Sequence, residues 1–356
     1  MTPELRRWRV KAQLRRWALD RKPILVGPWR SEMGFEVLYW LPFLRWAMEW
    51  GKIAPDRVVV ISRGGGAVLY GWPTAIDLYR LRSVEDVRLE NQYDAQATGI
   101  QKQLTVTPWD ADVLKEAGRQ VLGRTARFHV LHPSIMYQTL APFWEEARGM
   151  KFLQSMTDFV PLPKPKTDLG LPPRYVAMKW YSRHTFPFPH PDTGAFVQAV
   201  TQSVLQQGVP VVLLTSGVVT DDHGEILVKG PHIHTLPAVP ADQQLALQAA
   251  VLGKATSYVG TYGGMAQLAL RMGIPSVSWW SAYGGTAHAH LALNHWLGHA
   301  TKVPFVTGSM AEAQLWRQVT SLPAVPSPGT APVTAEGTTQ GWPAAPVGPE
   351  AAAVAG

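Results

Sequence analysis

Residues 255–281 read ATSYVGTYGGMAQLALRMGIPSVSWWS, and this stretch decides how the rest of the chain is interpreted. Residues 257–260 have the β-branched and aromatic composition of a buried strand. Beyond the glycines the apolar residues recur with helical spacing, at Met265, Leu268, Ala269 and Met272. Gly273 ends this helix and Pro275 opens a second apolar run. The stretch therefore predicts a strand, a glycine turn, a short helix and a second strand.

The turn contains Gly260, Gly263 and Gly264, which allow a close approach of the backbone. A glycine turn between a strand and a helix leaves backbone N–H groups unpaired at the positive end of the helix dipole. Such a turn is a site for anions, most often phosphate. The alternative is an ordinary strand–helix turn in which glycine serves packing, and spacing alone does not separate the two.

The phrase VGTYGGMAQLALRMGIPSVSW resembles the donor-binding region of GT-B glycosyltransferases, and among them of bacterial heptosyl- and fucosyltransferase-like members. The resemblance implies an α/β fold with two Rossmann-like domains facing a cleft, the second of which binds a nucleotide-sugar donor. It assigns donor binding in this stretch to Thr261, Tyr262, Gly263, Gly264 and Gln267. Retaining enzymes commonly carry a glutamate near this helix, so the glutamine here favours an inverting reaction.

The composition is that of a folded protein of two domains and a tail. The chain has 356 residues, of which 46% are hydrophobic and 17% are charged. No apolar run approaches the ~20 residues that span a bilayer, and the amino terminus lacks the apolar core of a signal peptide. We therefore expect a cytoplasmic protein. The absence of cysteine excludes disulfides and thiolate chemistry.

Most of the net charge of +7 lies near the amino terminus, where residues 4–22 contain eight basic and two acidic residues. The rest of the chain is close to neutral, so nucleic-acid binding by its body is not supported. Residues 3–20 predict a helix with apolar residues on two sides, namely Leu5, Trp8, Ala12 and Leu19 on one and Val10, Leu14 and Trp17 on the other. This helix either packs on the domain with solvated arginines or contacts an anionic membrane at its inner face. A membrane-surface helix should show a single apolar face.

The composition shifts along the chain divide it into five segments. We expect a basic helix over residues 1–22, an acceptor domain over 23–160, a proline-rich linker over 161–173, a donor domain over 174–322 and a tail over 323–356. The tail is rich in Pro, Ala, Gly and Thr without periodicity, which predicts disorder.

In the first domain, a loop with Arg30, Glu32 and Gly34 follows a strand over residues 24–27. Loops at the carboxyl ends of parallel strands are where ligands bind in open α/β folds. By the resemblance, Glu32 is the candidate general base, and Arg30 and Gly34 are candidate binding residues; Glu32 could instead cap the following helix. Glu36, inside that helix, is the second choice of base.

Three glycines follow the next strand, and Arg63 before them is a candidate contact to phosphate or acceptor. We expect a flexible loop here, because the pattern does not fit the dinucleotide fingerprint. Residues 104–107 and 128–131 predict further strands of this domain.

In the second domain, the first strand is expected to end near Lys179 and to run into a loop with Arg183 and His184. The resemblance assigns Lys179 and Arg183 to the donor diphosphate, whose dense negative charge needs cations when no metal is bound. His184 is an alternative acid or base. Further candidate donor contacts are Thr215, Ser216, Leu236 and Val239.

No metal is expected. Asp110 and Asp112 form a D-x-D pattern, but they open a helix, where acids serve as caps. His232 with His234, and His288 with His290 and His295, do not form a ligand set on one face.

These features favour a metal-independent, inverting glycosyltransferase that moves a hexosyl- or deoxyhexosyl-type sugar from a nucleoside diphosphate to an acceptor hydroxyl. The acceptor expected by analogy is a bacterial glycan or glycolipid precursor of polysaccharide biosynthesis. The alternatives are another nucleotide-using Rossmann enzyme, such as an epimerase or oxidoreductase, and a non-catalytic nucleotide- or sugar-binding protein.

Overall fold

The computed structural model describes residues 2–98, 103–145, 147–166, 168–182, 186–215, 217, 223–281, 288–313 and 334–337. Its contacts divide the chain into two compact units. The first comprises Met1–Pro165 together with Val239–Leu247, and the second comprises Lys166–Ala238 together with Gln248–Pro346. The boundary between Pro165 and Lys166 falls inside the predicted linker.

The first unit is built on a parallel sheet of four strands in the order β3-β2-β1-β4. The strands are β1 Ile24–Val26, β2 Val58–Ser62, β3 Thr74–Asp77 and β4 His129–Leu131. β1 and β2 are buried along their whole length, as expected for apolar strands with both faces covered.

Helices of very different length surround this sheet. They are α1 Pro3–Asp20, α2 Met33–Phe35, α3 Leu41–Gly51, α4 Leu78–Leu81, α5 Val84–Thr98, α6 Pro108–Leu122, α7 Pro133–Trp144 and α8 Met150–Gln154. A π-helical turn, Glu36–Trp40, joins α2 to α3. Turns of this kind are frequent at functional sites.

The second unit is built on a larger sheet. Its strands are β5 Val176–Ser182, β6 Val211–Leu213, β7 Gly224–Lys229, β8 Ile233–Thr235, β9 Ser257–Thr261, β10 Ser276–Trp280, β11 Phe305–Ser309 and β12 Thr334–Gly337. Six of them are parallel, in the order β11-β10-β9-β5-β6-β8. The helices are α9 Pro191–Leu205, α10 Gln244–Lys254, α11 Gly264–Arg271 and α12 His288–Thr301. A core of Trp180, Phe186, Phe196 and their neighbours packs against the sheet.

This strand order is that of a doubly wound nucleotide-binding fold. Counted from β5 as the first parallel strand, with the antiparallel β7 left out, it reads 3-2-1-4-5-6. The order reverses between β5 and β9, and in such folds ligands bind outside the carboxyl ends of the strands at this switch point. The predicted α/β fold with two Rossmann-like units is confirmed, as are the strand–turn–helix–strand arrangement of the opening stretch and the helix over residues 3–20.

Three local predictions differ from the structure. Residues 104–107 form no strand, because Thr107 caps α6; the fourth strand of the sheet is β3 instead. β5 does not end near Lys179 but continues to Ser182, because its second half pairs with β7. In the predicted disordered tail, Thr334–Gly337 pairs with β7 as an antiparallel strand, and the remaining residues of that tail lie outside those described.

Within the described part of the chain, no helix is both long and apolar enough to cross a bilayer.

Candidate functional site

The glycine turn lies at the switch point of the second unit and is held by both neighbouring strands. The hydroxyl of Thr261, the last residue of β9, accepts a hydrogen bond of 3.1 Å from the backbone N–H of Tyr181 in β5. The N–H of Tyr262 donates to the carbonyl of Trp279 in β10, at 2.8 Å. The sequence prediction that Thr261, Tyr262, Gly263 and Gly264 lead from a strand into a helix at a sheet edge therefore agrees with the structure.

Tyr181 covers the turn at Gly263. Its hydroxyl donates a hydrogen bond of 2.7 Å to the carbonyl of Tyr262. A Cβ built on Gly263 would lie 1.5 Å from the Tyr181 hydroxyl oxygen, so a larger residue does not fit at this position. Sequence reasoning missed Tyr181 because it ended the strand near Lys179, three residues too early. Lys179 and Tyr181 lie on one face of β5, and Trp180 lies on the other.

The amino terminus of α11 supplies the N–H groups that the sequence predicted. The N–H of Gln267 bonds to the carbonyl of Gly263 at 3.0 Å, which closes the first turn of the helix. The N–H groups of Gly264, Met265 and Ala266 precede the first intrahelical bond, and no described residue accepts a hydrogen bond from them. They lie at the positive end of the helix dipole, which favours an anion.

Tyr262 and Gln267 support the turn from its buried side. The Tyr262 hydroxyl accepts a hydrogen bond of 3.0 Å from Asn294, a buried residue of α12 that sequence reasoning did not select. Burial raises the pKa of Tyr262 to about 12. Gln267 is 6% exposed, so it belongs to the frame of the turn and offers little surface to a ligand.

Lys179 brings a cation to the same end of β5, but an acid accompanies it. Its ammonium group lies 2.9 Å from a carboxylate oxygen of Glu225 in β7, and both side chains are largely buried. A phosphate that binds Lys179 would therefore compete with Glu225.

The structure does not connect the other predicted donor contacts with the glycine turn. Arg183, His184 and Ser216 lie outside the described residues. The backbone carbonyl of Thr215 accepts a hydrogen bond of 2.9 Å from Gln248. Leu236 is buried, and Val239 is half-buried and belongs to the first unit. No described contact joins these three residues to the glycine turn.

Glu32 lies in the segment that leads from the carboxyl end of β1 to α2, and β1 and β4 form the switch point of the first unit. It precedes α2 at the capping position, but its side chain makes no capping hydrogen bond. Gly34 lies within α2. Burial raises the pKa of Tyr137 from its ordinary value, and the charge of Glu32 adds to this effect. Glu32 is half-buried and follows the first strand, as the sequence predicts. Its role as the general base stays a prediction.

Arg30 does not have the predicted role, because its guanidinium group is fully buried in a polar network. It forms ion pairs of 2.6 Å with Asp94 and 3.1 Å with Asp110, and it donates to Asn91 at 3.0 Å. Its backbone N–H bonds to Gln103 at 3.1 Å. These partners occupy the donors that a ligand would need, so Arg30 stabilises the unit.

The glycine loop after β2 is likewise occupied by the protein itself. The N–H groups of Gly64 and Gly65, which have left-handed φ angles of 67° and 78°, donate to the carboxylate of Asp77 at 3.3 and 2.6 Å. Arg63 is 6% exposed and donates to the carbonyl of Ser31 at 2.7 Å. These contacts do not favour the predicted flexible loop with Arg63 as a contact to phosphate or acceptor, because an internal carboxylate takes the place of the anion and Arg63 is buried.

Glu36 is a buried acid that lies close to this loop, near Gly66. It is fully buried in the π-helical turn, and it accepts a hydrogen bond of 2.6 Å from Tyr70. Its second carboxylate oxygen has no hydrogen-bond partner among the described residues. Burial raises the pKa of Glu36 to about 7, against the opposing effects of Tyr70 and Arg63. The sequence contains a signal for this burial, because Glu36 stands within the apolar run FEVLYW.

The D-x-D pattern serves as a helix cap. Asp110 and Thr107 form a reciprocal capping box at the start of α6, and Asp112 is exposed. Among the residues that the structure describes, no group of three or more His, Asp or Glu side chains could hold a metal ion.

Comparison with known proteins gives structural similarities only. No family model matches the chain, and a search of curated proteins finds no match. The chain is similar to the E. coli heptosyltransferase WaaC solved with ADP, with 13% identity, a TM-score of 0.42, and coverage of 83% of this chain and 99% of that one. It is also similar to a glycosyl transferase of family 9 from Veillonella parvula, with 11% identity, a TM-score of 0.41 and coverage of 85% and 90%.

A third similar structure is the dodecameric glycosyltransferase TibC from enterotoxigenic E. coli, with 13% identity and a TM-score of 0.38. The match covers 72% of this chain but 58% of TibC, so the chain spans little more than half of that protein. Similarities with TM-scores below 0.5 do not assign a function to this chain.

Proposed function

We propose that this protein is a glycosyltransferase that moves a sugar from a nucleoside diphosphate to an acceptor hydroxyl, with inversion and without a metal ion. The observation that carries the proposal is the glycine turn at the switch point of the second unit. Three amide groups of α11 that have no acceptor among the described residues lie there, at the positive end of the helix and at the carboxyl ends of β5 and β9. This is the position and the chemistry that a diphosphate requires.

The donor diphosphate would be held by the N–H groups of Gly264, Met265 and Ala266, with Lys179 as the nearby cation. Lys179 stabilises charge on the leaving diphosphate when it exchanges Glu225 for a phosphate oxygen. Arg183 is the second candidate cation. Tyr181 and Thr261 fix the backbone of the turn, and a preformed arrangement of N–H groups costs little reorganisation when the ligand binds.

Glu32 is the proposed general base. A carboxylate at the carboxyl edge of the first sheet can accept the proton of an acceptor hydroxyl as that oxygen attacks the sugar. His184 is the alternative acid or base. The acceptor class proposed is a glycan or glycolipid precursor, and the sugar is of hexosyl or deoxyhexosyl type.

Two alternative functions, an NAD-dependent oxidoreductase and a non-catalytic nucleotide-binding protein, would also use a glycine turn that binds phosphate. An NAD-dependent oxidoreductase would carry its glycine-rich phosphate loop directly after the first strand of a Rossmann unit, whereas this turn follows β9, the fourth parallel strand. In the first unit, the amides of Gly64 and Gly65 are already bonded to Asp77. A non-catalytic nucleotide-binding protein remains the second candidate, because the Lys179–Glu225 ion pair holds the cation in place without a substrate.

A thermal-shift panel with UDP, GDP, ADP, CMP and dTDP, each with and without EDTA, tests the donor site. ADP belongs in the panel because it is the nucleotide in the similar WaaC structure. We expect one nucleoside diphosphate to raise the melting temperature, since a ligand that binds the folded state stabilises it. The shift should be unaffected by EDTA. A shift that requires Mg²⁺ or Mn²⁺, or no shift with any nucleotide, contradicts the proposal.

Glu32→Gln separates an enzyme from a binding protein. The variant should keep the nucleotide-induced shift but lose turnover by about 10²-fold or more, the range of general base catalysis. Asp112→Asn, which also neutralises one exposed acid of the first unit, is the matched control and should keep full turnover. Equal turnover of Glu32→Gln and wild type would exclude Glu32 as the base.

A further inference from the structure

Helix α1 has two apolar faces, and the structure assigns only one of them to the core. Val10, Leu14 and Trp17 are buried where α1 packs on α3 and α7. The opposite face is exposed to solvent, and the exposed fractions of its large apolar side chains are 43% for Leu5, 66% for Trp8 and 84% for Leu19. The face with Val10, Leu14 and Trp17 therefore packs on the protein, and the face with Leu5, Trp8 and Leu19 forms a single exposed apolar stripe.

Cations are interleaved with this stripe. Arg9 and Arg16 are exposed on the same side as Trp8, and within the described residues neither makes a hydrogen bond or an ion pair. Other cations of α1 are engaged by the fold, since Lys11 and Arg15 lie over the ring of Trp50. The exposed stripe thus combines unpaired positive charge with exposed indole and leucine side chains.

A groove of about 570 Å³ runs along this face, and its lining includes Trp8, Arg9, Arg16, Asp20, Lys22 and His129. The carboxylate of Asp20 lies 3.0 Å from the ammonium group of Lys22 and 2.7 Å from Nε2 of His129, and its charge offsets that of Lys22. The charge left over in the groove is that of Arg9 and Arg16, which is suited to a phosphate group.

We propose that the exposed face of α1 binds an anionic phospholipid surface, with phosphate headgroups at Arg9 and Arg16 and with Trp8 and Leu19 inserted at the boundary of the acyl chains. Basic helices with aromatic and aliphatic side chains on the exposed face lie in this way at membrane interfaces. Indole side chains favour this boundary because one end is apolar and the other is polar. The proposal does not depend on the reaction proposed above.

Vesicle flotation with the full chain tests this. We expect the wild type to bind vesicles of 30% phosphatidylglycerol in phosphatidylcholine, to bind pure phosphatidylcholine far less, and to dissociate as salt increases. Each surface arginine contributes about fivefold to such binding, so Arg9→Gln/Arg16→Gln should lower the partition coefficient about 30-fold. Trp8→Ser/Leu19→Ser should also lower it, while keeping the salt dependence.

Lys115→Gln/Arg119→Gln is the control with the same change in net charge on the exposed face of α6, and it should bind as the wild type does. An equal loss in this control, or wild-type binding that does not distinguish the two vesicles, overturns the proposal. So does tighter binding to a 20-nucleotide RNA or DNA that is lost in Arg9→Gln/Arg16→Gln but kept in Trp8→Ser/Leu19→Ser, since the face would then be a nucleic-acid site. Circular dichroism of each variant confirms that the helix is retained.

Discussion

The hydroxyl oxygen of Tyr181 occupies the space next to Gly263 that a side chain would need, 1.5 Å from the position of a Cβ. The same hydroxyl donates to the carbonyl of Tyr262, one residue earlier in the turn. Glycine at position 263 and tyrosine at position 181 therefore depend on each other. Together they fix the backbone that leads into the N–H groups of α11.

Gly263→Ala should displace Tyr181 and shift the turn. We expect the affinity for the nucleoside diphosphate that gives the largest thermal shift to fall at least about tenfold, and the free energy of unfolding to fall by about 1–3 kcal/mol through overpacking. Isothermal titration calorimetry and urea unfolding measure the two effects. Gly194→Ala is the control, because a Cβ there meets its nearest atom at an ordinary 3.7 Å. Unchanged nucleotide affinity in Gly263→Ala would separate the turn from the donor site.

The Lys179–Glu225 ion pair gives a second test of the same site. Glu225→Gln removes the internal competitor of the phosphate, so nucleoside diphosphate affinity should rise about fivefold, which corresponds to about 1 kcal/mol for the ion pair that is lost. Lys179→Gln should lower it by about tenfold, the effect of one charge-assisted hydrogen bond. Titrations at two salt concentrations should show a steeper salt dependence in Glu225→Gln. Equal affinity in both variants would place the phosphates away from Lys179.

The two acids of the D-x-D pattern should differ sharply in their effect on stability. Asp110 is buried, and although burial opposes its ionisation, His132 and Arg30 hold its pKa below the usual value. Asp110→Asn leaves the Arg30 charge partly uncompensated and should reduce the free energy of unfolding by about 3–5 kcal/mol. Asp112→Asn at the exposed position should change it by less than about 0.5 kcal/mol. Urea unfolding of both variants checks the contrast, and similar values would mean that the buried network contributes little.

Local sequence signals predicted the parts of the fold that depend on neighbours in the chain. The glycine turn, α11 and β10 follow from glycine, proline and apolar spacing within one short stretch, and α1 was bounded correctly because its cap and its spacing are local. The position of the candidate anion site also follows from local backbone chemistry, because Gly263 and Gly264 mark the start of α11. These features require no knowledge of distant residues.

Contacts between distant residues decided the rest. Arg30 looked like a ligand contact because the sequence does not show that Asp94 and Asp110 surround it. The glycine loop after β2 looked open because Asp77, thirteen residues after Gly64, is the internal anion. A charged residue in a loop has the same local pattern whether its partner is a ligand or another part of the protein, and tertiary structure alone distinguishes the two.

Glu36 makes the stability of the protein depend on pH near neutrality. Its pKa is raised from 4.5 to about 7 by burial, so the folded state keeps the proton to a higher pH than the unfolded chain does. The resulting stabilisation is complete below about pH 4.5 and is lost as the pH rises through 7, with a total of about 3 kcal/mol. Glu36→Gln keeps an acceptor for Tyr70 and should flatten this decline between pH 5 and 8.

Urea unfolding at pH 5, 6, 7 and 8 measures the difference, with Glu49→Gln on the exposed side of α3 as the control. Asp77 faces the same region, and burial raises its pKa to about 6, so part of the decline should persist in Glu36→Gln. The opposing charge of Arg63 is permanent and does not titrate in this range. If the unfolding free energies of Glu36→Gln and wild type run parallel from pH 5 to 8, Glu36 is ionised in the folded protein and its free carboxylate oxygen must have a partner such as a bound water.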